Sequence, residues 1–155
     1  MAVRPYRYYP AWDGKVTQPI TAKCMELCQK RYKGATNLGC YVLRPMRDKP
    51  NNLSVHSTGY AMDIGHSDIK VLEAIWTFFV TNSLALKVQE VHFYKMPGTK
   101  YGAGYRSSRG ESLEGVVKYK TKEESAGTGG LWIHLELEKQ DLEHFEAEFR
   151  RLKPA

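Results

Sequence analysis

Three stretches of the chain space their apolar residues as one face of a helix. Ile20, Cys24, Leu27 and Cys28 predict a helix over residues 19–33, with Thr17 or Thr21 to cap its start and Gly34 to end it in the left-handed conformation. Ile69, Leu72, Ile75, Trp76 and Phe79 predict a second over 68–81, capped by Ser67, with Trp76 in the core. Leu142, Phe145, Phe149 and Leu152 predict a third over 140–152. Its other face is charged and carries His144, and Arg150, Arg151 and Lys153 suit its C-terminal end.

Shorter stretches alternate instead. From Leu131 to Glu138 the apolar residues fall on one side and Trp132, His134 and Glu136 on the other. Val88, Val91 and Phe93 mark a central strand within 85–95 whose alternation breaks near Gln89 and Glu90. His92 and Tyr94 share one face of it by parity, and His92 reads as an ordinary strand residue. Residues 40–43 and 115–120 are short strand candidates, and a turn at Gly59 leads into another that carries Asp63. The rest of 97–128 reads as a loop forming one wall of a cleft, with Gly98, Gly102, Gly104 and Gly110 set among Tyr101 and Tyr105. The pattern predicts an α+β fold, a small antiparallel sheet with helices packed on one side, preceded by an extended aromatic arm over residues 1–14.

At 155 residues and 42% hydrophobic composition, the chain has room for one domain with a real core. No apolar run is long enough to span a bilayer, since 71–80 is broken by Glu73 and Thr77, and residues 1–10 lack the apolar centre of a signal peptide. A cytoplasmic protein is expected, or a phage protein that reaches the cell wall by another route. The net charge of +6 invites a nucleic-acid reading, but the basic residues are scattered among acids and no groove-binding module is present. A mildly basic protein is equally drawn to an anionic cell wall. Cys24 and Cys28, four residues apart on the first helix, read as buried thiols; a disulfide through Cys40 stays open.

The chemistry concentrates in Ser54-Val55-His56-Ser57-Thr58-Gly59-Tyr60-Ala61-Met62-Asp63. An imidazole and a carboxylate seven residues apart cannot meet on one helix, but a turn at Gly59 followed by a strand lets them converge. Zinc accepts both donors, and a hydrolytic zinc site uses three protein ligands. His134, on a distant alternating strand, is the best third ligand, whereas His66 reads as a loop residue. Either His56 or Asp63 alone would read as a satisfied polar group or a turn residue.

Ser-x-His-x-x-Gly-x-Ala-x-Asp followed by a late Trp-x-His resembles the zinc D-alanyl-D-alanine carboxypeptidases and L-alanyl-D-glutamate endopeptidases. These enzymes, phage lysins among them, cut peptidoglycan stem peptides, and the hedgehog signalling domain is similar in its metal-site fold. The resemblance runs over roughly residues 40–138. It implies Zn2+ held by His56, Asp63 and His134, a small peptide substrate, and a monomer. It also implies an arginine upstream of the first ligand that pairs with a substrate carboxylate, for which Arg47 and Arg44 are the candidates. Ser54 would hydrogen-bond substrate or orient the loop. The family places a catalytic acid three residues before the late His, where this chain has Leu131. Glu136 is the first candidate to replace it, two residues after His134 and about 7 Å along the same face of a strand. Glu123 and Glu124 are less favoured. A site kept for binding or stability is the alternative that Leu131 supports.

Overall fold

The computed structural model describes residues 3–9, 17–41, 54–125 and 130–154. Six strands, β1 (Thr36–Gly39), β2 (Ala61–Gly65), β3 (Val88–Phe93), β4 (Ala103–Arg106), β5 (Val116–Lys118) and β6 (Trp132–Leu137), form one sheet in the order β1-β2-β6-β3-β4-β5. Every pairing is antiparallel. With the helices α1 (Pro19–Arg31), α2 (Ile69–Thr81) and α3 (Leu142–Arg151), this is the predicted α+β architecture.

Alternation decides the two faces of the sheet. Ile64, Val91, Phe93, Ile133 and Leu135 are buried against the helices, while Asp63, His92, His134 and Glu136 lie at the intervening positions. Trp76 of α2, 2% exposed, stands 6.3 Å from Phe93, and Phe78 of α2 meets Phe149 of α3 edge-on at 5.0 Å. The Arg31 guanidinium lies 4.3 Å above the Phe149 ring and donates to the Phe149 carbonyl at 2.9 Å, which joins α1 to α3. Cys24, Cys28 and Cys40 are all buried free thiols, so no disulfide forms through Cys40.

Several local expectations are corrected. The first strand is 36–39 and Cys40 follows it in a bend; as an exposed edge strand with Leu38 as its one large apolar residue, it has no alternation to read. Residues 42–43 lie outside the described residues. Asp68 caps α2 in place of Ser67, its carboxylate accepting from Lys70 N at 2.9 Å. Neither Thr17 nor Thr21 caps α1; Gln18 holds the cap position without a side-chain bond, and the Thr21 hydroxyl donates to the Gly59 carbonyl at 2.6 Å. Gly34 does follow α1 with φ +89°. The stretch read as a loop contains β4, paired with β3 from Glu90↔Arg106 to Phe93↔Ala103. Gly102 is required there, because with φ +90° a Cβ would lie 2.5 Å from the Phe93 carbonyl oxygen and the Tyr94 Cα.

Candidate metal centre

The first candidate ligand, His56, is placed by a short turn. Ser54 caps the 3-10 turn Val55–Thr58, its hydroxyl accepting from His56 N at 3.3 Å, and Gly59 closes the turn with φ +78°. The chain then enters β2, where Asp63 stands directly opposite His134 of β6. The three predicted ligands therefore meet. His56 Nε2 lies 3.2 Å from Asp63 Oδ2, His134 Nδ1 lies 3.0 Å from Asp63 Oδ1, and the two imidazoles stand edge-to-face at 5.0 Å. These donor atoms are close enough together to hold one metal ion.

Burial alone would push the Asp63 carboxyl up, but hydrogen bonds from His134 and His56 outweigh it and hold the group well below the usual carboxylate range. Burial would likewise lower His134; its bonds to Asp63 and Glu136 push it up to about 10 instead. In the metal-free chain His134 is thus an imidazolium between two carboxylates, and a cation entering the site competes with one of its protons.

Glu136 lies on the same face as His134, with Oε2 at 2.9 Å from His134 Nε2. Its other oxygen accepts from the Tyr6 hydroxyl at 2.7 Å, and the residue is 3% exposed. Leu131 lies in a bend just before β6 and is 43% exposed. Glu123 and Glu124 stand exposed in the turn that follows β5; Glu124 is bound to Thr121. His66 binds the Lys33 carbonyl through Nε2 at 2.8 Å and accepts from Asp68 N at Nδ1, a staple between the end of α1 and the start of α2. Arg44 and Arg47 lie outside the described residues.

A second cluster was not anticipated. Glu90, His92 and Glu136 also bring ligand-type atoms within reach of one ion. By sequence His92 is an ordinary strand residue and Glu90 part of a broken alternation. The break is the signal: the β3–β6 register shifts between Val88 and Glu90, a bulge that leaves Glu90 opposite Glu136 and His92 opposite His134. Directly opposed carboxylates repel unless a cation separates or balances them. Here the cation is Arg106, whose Nε and Nη2 donate to Glu90 Oε1 at 3.0 and 2.9 Å. Burial works to raise Glu90, yet His92 and Arg106 hold it down to about 2. His92 is engaged at both nitrogens, Nε2 to Glu90 at 3.1 Å and Nδ1 to the Tyr119 hydroxyl. Gly104 makes that last contact feasible, since a Cβ there would overlap the Tyr119 hydroxyl.

Among the described residues two clusters of metal-ligating type thus lie side by side on one sheet face, joined by the His134–Glu136 bond, the second already matched by a guanidinium. No protein-family profile, curated protein or solved structure matches the chain, so the reading of this centre rests on its own geometry and chemistry.

Proposed function

We propose that the chain is a zinc-dependent peptidase acting on peptidoglycan stem peptides, as a D,D-carboxypeptidase or an L-alanyl-D-glutamate endopeptidase. The observation that carries the reading is the convergence of His56 Nε2 and His134 Nδ1 on the Asp63 carboxylate, at 3.2 Å from Oδ2 and 3.0 Å from Oδ1, with the three ligand atoms within 4.8 Å of one another. Ligand atoms about 2.0–2.1 Å from a tetrahedral ion stand roughly 3.3 Å apart, and the two His–Asp63 separations lie near that value. Held by His56, Asp63 and His134, a zinc ion would supply Lewis acidity for an amide carbonyl and lower the pKa of a water.

The residues around it divide the remaining work. Asp63 and the two imidazoles orient one another, and Ser54 fixes the turn that presents His56. Glu136 is proposed as proton acceptor: an ionised carboxylate has about four acceptor positions. His134 and Tyr6 use two of them. Arg47 or Arg44 is proposed to pair with a carboxylate of the stem peptide.

The test is D-alanine release, or scission of the L-alanyl-D-glutamate bond, from peptidoglycan fragments by the zinc-loaded chain. Glu136→Gln compared at equal zinc occupancy should be slower by about 10²- to 10⁴-fold, the usual worth of general acid-base assistance. A second reading, a metal-stabilised binding protein, is favoured by the exposed Leu131 where a catalytic acid would stand. Binding of stem peptides without turnover, with turnover appearing in Leu131→Glu, would select it. If stem peptides neither bind nor react, the peptidoglycan assignment falls.

A further inference from the structure

We propose that the N-terminal arm is a component of the metal centre, with Tyr6 a positioning residue that sets His134 through Glu136. The proposal rests on the metal reading of His56, Asp63 and His134.

For His134 to offer Nδ1 to a cation beside Asp63, its remaining proton must sit on Nε2. A ligand imidazole is commonly fixed in that state by a carboxylate at its other nitrogen, which also settles the plane of the ring. Glu136 is that carboxylate, with Oε2 at 2.9 Å from Nε2. It is also a buried acid in register with Glu90, and repulsion between the two would turn it away from a single orientation. The Tyr6 hydroxyl donates to Oε1 at 2.7 Å, which leaves Oε2 aimed at His134. The relay is therefore three bonds long, from phenol to carboxylate to imidazole to metal site.

The arm is held closely enough to make this a fixed contact. Ahead of Tyr6, the Arg4 guanidinium lies between Glu111 and Glu138, at 2.5 Å from each, and also donates to the Val88 carbonyl at 2.7 Å. After it, Arg7 exchanges its backbone N–H and C=O with the Gln89 side-chain amide at 2.7 and 2.9 Å. The Tyr9 hydroxyl accepts from Lys139 N at 2.9 Å. Gln89 is the extra residue of the β3 bulge, so one irregularity turns Glu90 toward the site and gives the arm its docking amide. An arm serving only as covering would need no hydroxyl aimed at a buried carboxylate.

The experiment measures zinc affinity of the full chain by chelator competition for the wild type, Tyr6→Phe, Tyr9→Phe, Glu136→Gln and the Tyr6→Phe/Glu136→Gln double variant. Thermal melts check that each is folded. Outer partners of metal ligands typically contribute 10- to 100-fold in affinity. Tyr6→Phe should bind zinc roughly 10-fold more weakly, Tyr9→Phe within about 2-fold of wild type, and Tyr6→Phe should add nothing in the Glu136→Gln background. The His134 Nε2–H resonance of the zinc-loaded chain should also move in Tyr6→Phe and stay in Tyr9→Phe, which a loss of arm docking alone would not produce. Equal zinc affinity in wild type and Tyr6→Phe overturns the proposal, as does equal weakening by Tyr6→Phe and Tyr9→Phe. A wild type that takes up no zinc overturns the metal reading itself, a distinct result.

Discussion

At the scale of single residues, the centre is organised by where protons sit before a cation arrives. His134 is raised from its ordinary 6.5 to about 10, so in the metal-free chain it contributes stability that is complete below about pH 6.5 and fades as the pH rises through 10. The melting temperature of the metal-free protein should therefore fall between pH 7 and 10, and the zinc-loaded protein should show less of this fall. On the proposed zinc reading, the same proton leaves when the ion takes Nδ1. Calorimetry at pH 7.5 in buffers of different ionisation enthalpy should report about one proton released per zinc bound, arising from His134. No release, or an unchanged release in a variant that still binds metal without His134, would contradict this assignment. His56→Ala, Asp63→Ala and His134→Ala should each lose the metal on purification. Retention of a full complement by His134→Ala would remove the site as drawn.

At the scale of elements, caps and glycines set where strands and helices begin, and two variants test that directly. Asp68→Ala should cost about 0.5–2 kcal/mol, the usual worth of an N-cap, whereas Ser67→Ala should be nearly neutral because Asp68 makes the bond to Lys70 N. The reverse order in a denaturant titration would restore Ser67 as the cap. Gly102→Ala is expected to be more damaging. Its backbone has φ +90°, and the new methyl would meet main-chain atoms of Phe93 and Tyr94 that cannot rotate away. Strain in the left-handed region and overpacking together suggest about 2–4 kcal/mol. Because this glycine joins the approach of β4 to β3, the loss should also loosen His92 and Arg106, read as faster amide exchange along Ala103–Arg106.

At the scale of the whole molecule, one sheet face carries the charge and the other the core. Asp63, Glu90 and Glu136 bring three negative charges to the polar face, and Arg106 returns one positive charge. One divalent cation then balances the remainder. Metal analysis of the purified chain should accordingly give one zinc, unchanged in His92→Ala. Two zincs in the wild type with one lost in His92→Ala would show that the second cluster takes a cation despite Arg106.

The apolar periodicities alone determined the three helices, the β6 strand and the α+β class, because burying one face of an element writes its period into the sequence. The convergence of His56, Asp63 and His134 was legible for a similar reason: Gly59 marks the turn, and parity on β2 and β6 decides which side Asp63 and His134 face. Thr36–Gly39 and Ala103–Arg106 were not legible as strands, since an exposed edge and a glycine beside a tyrosine carry no such period. Nor could spacing reveal that Arg106 balances Glu90 across sixteen residues, or that Tyr6 reaches Glu136 across one hundred and thirty. Local periodicity records only that a residue is turned inward or outward. Which polar groups then face one another depends on strand order and on a one-residue bulge, and those are settled by pairing between segments far apart in the chain.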